Sequence, residues 1–493
     1  MKSKTPPRLS KSRILSGLQC ERRLWLESWR RDLLDIDATQ QRRFDIGNEL
    51  GELARELYGP GVLVGHVDNV PAALAETASL LSQRKVPPVI FEAAFSHDGV
   101  VVRADVMRRV RGGWDLIEVK ASTSVKDYYL NDCAVQAYVL EGSGISLKGI
   151  RLAHVDSSFV YTKAGDYRGL LVEEDVEASA RERMAEVPGW IRTFRRMLGR
   201  EEPAIATGKH CHEPFECSFF DHCKGQEPAD AEYPLWILPH RGKLADALAE
   251  EGYRDLRDVP LQRLEKPLHQ RVHQATTSGH PFLDKAVRAI CCKLHYPRYF
   301  LDFETIDFAV PNWVGTRPYQ QVPFQWSCHV QRRDGSLDAS GFLDLSGQSP
   351  VRPFAKSLLK TLGKRGPILV YNQAFEASRV KELAAMLPDI GQHLLALIDR
   401  MVDLLPIARD HYYHPAMKGS WSIKAVLPTI APELTYDSLE EVGDGGEAQQ
   451  AYLEAIAPQT TVERRGILEQ ALLRYCGLDT LALVRLMTVF SQA

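Results

Sequence analysis

The sequence lacks several features that define large protein classes. It has no uncharged apolar run of the roughly 18 residues that a membrane-spanning helix needs, so we expect no membrane partner. Its formal net charge is only -3, so total charge selects no class of ligand. The basic start, MKSKTPPRLSKSR, leads into no apolar signal segment, which favours a cytoplasmic location. The absence of internal repeats excludes solenoid and collagen-like folds.

Cysteine is also scarce, with nine residues in a chain of 493. That number is small for a disulfide scaffold, and a reducing compartment keeps thiols free. We therefore interpret clustered cysteines as ligands of a metal or of an inorganic cluster. The rest of the composition is typical of a globular protein. Hydrophobic residues make up 44% of the chain, which excludes a disordered protein.

The sequence pattern changes twice, near residues 225 and 295. Residues 1–225 mix helix-like stretches such as FDIGNELGELARELYGPG with strand-like ones such as PPVIFEAAF and WDLIEVKAS. Residues 226–295 are polar and helical, which predicts a connector or a small helical domain. Residues 296–493 again alternate strand-like and helix-like sequence. We therefore expect an α/β protein in which two α/β domains flank a helical connector.

A β-hairpin is predicted in VVVRADVMRRVRGGWDLIEVKAS, because two β-rich runs flank a glycine-containing turn. A turn that begins at Arg111 places Asp105 opposite Glu118. A turn that begins at Gly112 places Asp105 opposite Lys120 instead. Glu118 and Lys120 share one face of their strand in either case, so the three side chains converge. Carboxylates this close are tolerated when they share a lysine or a divalent cation, and hard oxygen ligands suit Mg or Mn.

This arrangement, followed by Gln136 in a helix-like stretch, resembles the PD-(D/E)XK nuclease core in its RecB-like variant. The resemblance implies a restriction-endonuclease-like domain over residues 1–225. It further implies that Asp105 and Glu118 bind Mg or Mn, that Lys120 serves catalysis, and that Gln136 supports the site.

The pattern departs from that family at two points. A histidine on the preceding helix is missing, so the third metal ligand stays open among Glu49, Glu52 and Glu92. The tyrosine of the glutamine motif is displaced, since Tyr138 follows Gln136 by two positions instead of four.

Four cysteines suggest one soft metal site. Cys20 lies near the amino terminus, and Cys211, Cys217 and Cys223 are regularly spaced in KHCHEPFECSFFDHCKG. This set resembles the iron-sulfur clamp of CRISPR-associated RecB-like exonucleases and AddB-type helicase-nucleases, which implies a 4Fe-4S cluster. A cluster that ties Cys20 to so distant a segment would remove loop-closure entropy from the unfolded chain, which is a structural role.

A four-cysteine zinc site is the alternative for this set, with three histidines as alternate ligands. These are His210, His212 and His222. The remaining cysteines fit no ligand spacing, and we interpret them as plain thiols: Cys133, Cys291, Cys292, Cys328 and Cys476.

A second group of carboxylates begins in RYFLDFETI, where Asp302 and Glu304 leave the same face of a predicted strand. GPILVYNQAFEASRV then predicts a buried strand that enters a helix with Glu376 at its start. Far downstream, Tyr475 and Asp479 lie one helical turn apart. A cluster of such acids is the ligand set of two-metal phosphodiester chemistry.

The order of these motifs resembles the DnaQ-like, or DEDD, 3'-5' exonucleases of ribonuclease-H-like fold. The resemblance implies that the second domain, residues 296–493, binds Mg or Mn and that Tyr475 positions or deprotonates the attacking water. By it the metal ligands are Asp302, Glu304, Glu376 and Asp479. Glu376 stands where the family usually has aspartate, so Asp403 is an alternative ligand.

The combined hypothesis is a metal-dependent nuclease, an exonuclease on single-stranded DNA ends in repair, processing or defence against foreign nucleic acid. DNA is favoured over RNA as the partner, with a helicase or defence-system protein as a further candidate. One alternative is an RNA-directed exonuclease that uses the C-terminal site. Others are a catalytically decayed nucleic-acid-binding scaffold and a redox-sensing module. Four aromatic residues either stack unpaired bases or belong to the core: Trp313, Tyr319, Phe324 and Trp326.

Overall fold

The computed structural model describes residues 7–36, 38–436, 439 and 441–493. The chain divides into two compact units. The first comprises Met1–Pro228 with Phe308–Tyr319, and the second comprises Ala229–Asp307 with Gln320–Ala493. Both contain sheets and helices, so the predicted α/β class is confirmed.

Across the described ranges, no helix is both long and apolar enough to cross a membrane.

The first unit contains a seven-stranded sheet and its helices. The strands are β1 (Leu9–Ser10), β2 (Val62–Leu63), β3 (Val89–His97), β4 (Val100–Val110), β5 (Gly113–Lys120), β6 (Leu147–Val155) and β7 (Leu171–Asp175). The helices are α1 (Lys11–Gln19), α2 (Glu21–Trp29), α3 (Ala38–Leu57), α4 (Val70–Ser82), α5 (Asp127–Gly142), α6 (Glu177–Met184), α7 (Val187–Leu198) and α8 (Phe220–Lys224). Short 3-10 turns cover Arg31–Leu33 and Lys209–Cys211.

The strand order in this sheet is β2-β3-β4-β5-β6-β7, and β1 pairs with β4. The β4–β5 hairpin has the register in which Val110 faces Gly113, so the turn begins at Arg111. Gly112 has a φ of 84°, a left-handed conformation that glycine adopts without steric cost. Strand β6 runs parallel to β5, and α5 makes the crossover that parallel strands require.

Helix α5 is buried along most of its length because it packs in the core of the first unit together with residues of β3 and β4. Ile14 of α1 belongs to the same core and is fully buried. Burial of such a side chain contributes roughly 1.5–3 kcal/mol, which fixes the helix that carries it. Helices α1 and α5 are therefore rigid supports for polar side chains at the sheet.

The second unit contains a five-stranded sheet, a two-stranded sheet and ten described α-helices. The strands are β8 (Phe282–Leu283), β9 (Arg298–Ile306), β10 (Val322–Gln331), β11 (Leu337–Leu343), β12 (Ile368–Val370), β13 (Met401–Asp403) and β14 (Tyr412–Tyr413). The helices are α9 (Leu244–Glu250), α10 (Pro267–Ser278), α11 (Val287–Cys292), α12 (Val351–Leu362), α13 (Gln373–Met386), α14 (Gly391–Ile398), α15 (Leu404–His411), α16 (Ile423–Ile430), α17 (Gly445–Ile456) and α18 (Val462–Gln492). Further 3-10 turns cover Leu235–Ile237, Leu256–Asp258, Leu261–Arg263 and Pro415–Met417.

The five-stranded sheet has the order β11-β10-β9-β12-β13. Strand β9 is central, antiparallel to β10 and parallel to β12. It covers the predicted RYFLDFETI stretch from end to end. Helix α18 packs on β9 and β10, and its buried residues include Tyr475, Cys476 and Asp479. The longest of the described helices thereby faces the acids of β9.

Most of the segment 226–295, which the sequence suggests as a connector, packs into the core of the second unit. Leu248 of α9 and Val272 of α10 are fully buried in one cluster with Phe490 of α18. The apolar faces of these short helices are thus part of the second unit's core.

Two candidate active sites and a four-cysteine site

The first site lies where β5 faces α5. Lys120 Nζ donates to Glu118 Oε1 at 2.6 Å and to Asp132 Oδ2 at 2.6 Å. Gln136 Nε2 donates to Glu118 Oε2 at 2.6 Å and to Asp132 Oδ1 at 3.0 Å. The structure therefore brings together the predicted residues Glu118, Lys120 and Gln136, and it adds Asp132, which the sequence analysis missed. Helical spacing offered a signal, since Asp132 precedes Gln136 by one turn of α5.

Asp105 joins this group from β4. The last regular pair of the hairpin, counted from its turn, is Val106 with Ile117. The same register places Asp105 opposite Glu118. Asp105 Oδ2 accepts a hydrogen bond from the Val119 backbone N–H at 2.8 Å. The register in which Asp105 faces Glu118, not Lys120, is thus the one observed.

Lys11 is a second lysine in the first site, and the sequence analysis did not identify it. Its Nζ lies 2.8 Å from Glu118 Oε1 and 3.3 Å from Asp132 Oδ1. Glu118 and Asp132 are 1% and 2% exposed, so each buried carboxylate is balanced by ammonium groups. No motif of the sequence pointed to Lys11, which lies 107 positions from its partner Glu118.

The two lysines are held charged by their surroundings. Burial lowers the pKa of Lys120, but the carboxylates of Asp132, Glu118 and Asp105 outweigh burial and raise that pKa well above its usual value. The same opposing effects raise the pKa of Lys11. Lys120 is consequently a hydrogen-bond donor and a positive charge at neutral pH, not a proton acceptor.

Of the three candidates for a third acidic ligand, Glu92 is the best placed. It lies on β3 beside β4 with a φ of 55°, and its backbone interrupts the regular pairing opposite Asp105. Burial raises the pKa of Glu92, and the neighbouring charge of Glu118 raises it further. Glu52 is paired with Arg55 and exposed, and Glu49 is exposed.

The first site opens into a cleft of about 1290 Å³ within the first unit. Basic side chains line it: Lys11, Arg23, Arg43, Arg55, Arg103 and Lys126. Aromatic side chains line it as well, and Phe44 and Phe215 are 55% and 39% exposed. Phe215 packs edge-to-face on Tyr128 with ring centroids 4.7 Å apart. The acids therefore lie in a basic groove that carries exposed aromatic rings.

The four predicted cysteines line one cavity of the first unit. Cys20 lies at the junction of α1 and α2, Cys211 ends a 3-10 turn, and Cys223 lies in α8. Burial raises the pKa of Cys223 to about 11, and the other three thiols add to the shift. The thiols are thus close enough to affect one another.

The alternate histidine ligands are only partly available. His212 Nδ1 bonds Glu216 Oε2 at 2.7 Å, and His222 Nε2 bonds the Gln226 side chain at 2.9 Å. His210 lines the cavity, with Nε2 3.6 Å from Cys211 Sγ.

The second site is built on β9 and α18. Ligand atoms of Asp302, Glu304 and Cys476 lie within 4.8 Å of one another, the one such group of three among the described residues. Cys476 Sγ lies 3.8 Å from Asp302 Oδ2. Cys476 is a free, buried thiol, as predicted, and it lies beside the acids because the helix that carries Tyr475 and Asp479 also turns Cys476 toward β9.

Asp479 completes this cluster. Tyr436 donates from its hydroxyl to Asp479 Oδ1 at 2.5 Å. Burial raises the pKa of Asp302, and the charges of Asp479, Glu304 and Glu376 raise it further. Burial and Asp479 raise the pKa of Glu304 to about 8, and burial raises that of Asp479 to about 6.

Lys424 is a cation close to Glu304 and Asp479. Its Nζ lies 5.1 Å from the centroid of the Tyr475 ring and 5.3 Å from that of Tyr436. Its charge opposes the rise in the pKa of Glu304 and Asp479. Burial raises the pKa of Tyr475, and the acids raise it further, which keeps its hydroxyl protonated. The sequence analysis did not identify Lys424 and Tyr436, because both lie far along the chain from the acids.

Glu376 and Asp403 have different surroundings. Glu376 is 1% exposed, its Oε2 has no hydrogen-bond partner, and burial raises its pKa to about 8. Asp403 accepts three backbone hydrogen bonds, from Asn372 and Gln373 at the start of α13 and from Leu405 in α15. Its oxygens are occupied in capping two helices, so Glu376 is the better candidate ligand.

The aromatic residues proposed for base stacking are largely buried. Phe324 and Trp326 of β10 belong to the core of the second unit, and Trp326 Nε1 donates to Ser357 Oγ at 3.0 Å. Trp313 is buried in the first unit, and Tyr319 is half-buried there.

One comparison with known proteins covers residues of the second site. A family model described as a domain of unknown function (DUF2779) matches residues 299–422, which include Asp302, Glu304 and Glu376. Uncharacterized protein UU173 of Ureaplasma parvum serovar 3 is 29% identical over 154 residues, which are 29% of this chain and 22% of that protein. The chain thus matches only about a fifth (22%) of the length of this curated relative. No solved structure matches the chain. Across residues 299–422 the chain is similar to the DUF2779 family.

Proposed function

We propose that this chain is a metal-dependent nuclease with two active sites, a RecB-like PD-(D/E)XK site in the first unit and a DnaQ-like exonuclease site in the second. The observation that carries the proposal is the buried group of carboxylates in the second unit. Burial raises the pKa values of Asp302, Glu304 and Asp479, and neighbouring carboxylates raise those of Asp302 and Glu304 further. Such an arrangement suits a divalent cation.

The second-site residues fit Mg or Mn. Asp302, Glu304 and Asp479 offer hard oxygen ligands, and Glu376 adds an oxygen that lacks a partner. When bound, the metal would supply Lewis-acid stabilisation of a phosphate and activation of water. The Tyr475 hydroxyl is protonated and therefore orients water by hydrogen bonding. The mixed five-stranded sheet is compatible with the ribonuclease-H-like fold of the resemblance.

In the first site, Asp105 and Glu118 would bind the metal, with Glu92 as the third acid. Lys120 is positively charged, so its role is to stabilise negative charge on a phosphate. Gln136 and Asp132 hold Glu118 and Lys120 in place through bonds of 2.6–3.0 Å.

Single-stranded nucleic acid is the substrate that the first-unit cleft supports best. Basic side chains attract the phosphate backbone, and the exposed rings of Phe44 and Phe215 offer faces for unpaired bases. The preference for DNA ends over RNA rests on the RecB-like resemblance, as do the proposed roles in DNA processing or defence.

For the cysteine site we favour an iron-sulfur cluster over zinc. The preference rests on the resemblance of this cysteine set to the iron-sulfur clamp of RecB-like nucleases, and the four cysteines line one cavity, as a single cluster requires. The variant Cys217→Ala should lose iron and visible absorbance; full iron content in that variant would exclude this ligand set.

An end-labelled digestion time course with Mn tests the proposal. Matched single-stranded DNA, duplex DNA and RNA are digested by the anaerobically purified wild type, Lys120→Ala and Asp302→Ala. The exposed variants Lys148→Ala and Asp389→Ala are the matched controls. We expect stepwise shortening that one or both site variants abolish and neither control changes. Binding without cleavage would instead indicate a nucleic-acid-binding scaffold, and cleavage of RNA alone would indicate the RNA-directed alternative.

A further inference from the structure

Glu118 of the first site has both carboxylate oxygens occupied. Oε1 accepts from Lys11 at 2.8 Å and from Lys120 at 2.6 Å, while Oε2 accepts from Gln136 at 2.6 Å. Asp132 is likewise engaged by both lysines and the glutamine. A divalent cation can therefore reach Glu118 only if one of these donors moves away.

Lys11 is fixed in this position by the fold. It is the first residue of α1 and follows β1, whose Leu9 and Ser10 pair in parallel with Val100 and Val101 of β4. The Ser10 side chain caps α1 by accepting from the Arg13 N–H. The Lys11 ammonium thus reaches the acids from a well-anchored backbone.

Lys11 and Lys120 differ in how closely they contact the acids. Their side chains are 20% and 21% exposed, and both line the cleft. Lys120, which matches the motif of the RecB-like resemblance, has its Nζ 2.6 Å from both Glu118 and Asp132. Lys11 comes from a separate element, and its Nζ lies 2.8 Å from Glu118 and 3.3 Å from Asp132. Lys11 is therefore the less closely held donor and the one that a metal displaces more easily.

We propose that Lys11 is an internal cation that a divalent metal must displace from Glu118, so that Lys11 weakens metal binding at the first site until a substrate phosphate attracts its ammonium into the cleft. This inference rests on the proposed nuclease function and deepens it. Two cations cannot share one carboxylate oxygen at close range without repulsion. A phosphate that binds the displaced ammonium and a metal that binds Glu118 should therefore strengthen each other's binding. Lys11 acts as a positioning residue in this scheme, because it acts through Glu118.

Binding of Mn²⁺ to the full-length protein tests the inference, with free Mn²⁺ measured by electron paramagnetic resonance. The background variant Asp302→Asn/Glu304→Gln removes ligands of the second site. Binding at the first site is then the part that Glu118→Gln abolishes. We expect Lys11→Gln to tighten this binding by about tenfold, since one competing positive charge is removed, and Lys11→Arg to resemble the parent.

Substrate coupling gives the second readout. A single-stranded oligonucleotide with non-hydrolysable linkages should tighten Mn²⁺ binding in the parent and have much less effect in Lys11→Gln. A merely structural role for Lys11 would not produce this difference. Equal Mn²⁺ affinity in the parent and Lys11→Gln, with equal coupling to the oligonucleotide, would overturn the inference.

A charge-balanced variant is the control for misfolding. Lys11→Gln/Asp132→Asn removes one charge of each sign, and it should still bind Mn²⁺ more tightly than the parent. If neither this variant nor the parent binds Mn²⁺ and cleavage is absent, the nuclease proposal itself fails, and the role of Lys11 fails with it. If both cleave nucleic acid with the same Mn²⁺ requirement, only the role of Lys11 fails.

Discussion

The two candidate sites contain the same kind of side chain in opposite electrostatic states. In the first site, buried Glu118 is held between two lysines at hydrogen-bonding distance. In the second site, Asp302 and Glu304 face each other with Lys424 as the nearby cation. A carboxylate next to ammonium groups stays charged without a metal, whereas carboxylates that face one another take up protons or a divalent cation.

The difference separates two ways of preparing a site for a cation. In the second site the carboxylates repel one another, and a bound metal would reduce this repulsion. The first site is already neutralised by the chain's own lysines, so a metal has to compete. Two sites that resemble nuclease centres in their motifs are therefore expected to differ in metal affinity and in stability without metal.

The variant Glu118→Ala gives the largest expected effect. It removes one of the two buried carboxylates that pair with both Lys11 and Lys120, the other being Asp132. Breaking a buried pair of this kind costs about 3–5 kcal/mol. Urea denaturation in EDTA, with Asp389→Ala as the exposed control, measures the loss. A loss below that of an ordinary surface substitution would contradict the account of the first site.

The pH dependence of stability distinguishes the second site. Folded Glu304 and Glu376 have pKa values of about 8, above the ordinary value of 4.5, so the folded chain binds more protons than the unfolded chain between those values. Stability in EDTA should therefore fall as pH rises from about 4.5 to about 8. Thermal melting across this window measures the trend, and saturating Mn should remove it. A rise in stability over the same range would contradict the assignment.

The variant Asp302→Asn should show a smaller effect of opposite sign to that of Glu118→Ala. Removal of one carboxylate from the second site relieves repulsion, and we expect the protein without metal to gain roughly 1 kcal/mol. The gain should turn into a loss when wild type and variant are compared with Mn present. Denaturation curves with EDTA and with Mn provide the comparison, and a loss in both conditions would show that Asp302 is a structural residue.

Much of the local fold was predictable from the sequence because its signals are local. Alternating runs around a glycine turn predicted the hairpin, and β9 covers the predicted strand. Spacing of two along a strand put Glu118 beside Lys120 and Asp302 beside Glu304, and spacing of four along a helix put Tyr475 beside Asp479.

The missed residues depend on contacts between distant segments. Lys11 reaches Glu118 because β1 pairs with β4, and no periodicity encodes that pairing. Cys476 faces Asp302 because α18 packs on β9. This contact depends on the rotation of α18 about its axis, which the sequence pattern does not specify. Asp403 is the alternative to Glu376 in the sequence, and its backbone hydrogen bonds depend on how α13 and α15 pack.

The most direct test of the contrast between the sites is a Mn²⁺ titration of the wild-type protein followed by electron paramagnetic resonance. We predict two classes of binding. The tighter class should disappear in Asp302→Asn/Glu304→Gln, and the weaker class should disappear in Glu118→Gln. A protein that binds no Mn²⁺, or that binds it identically in all three forms, would contradict the account.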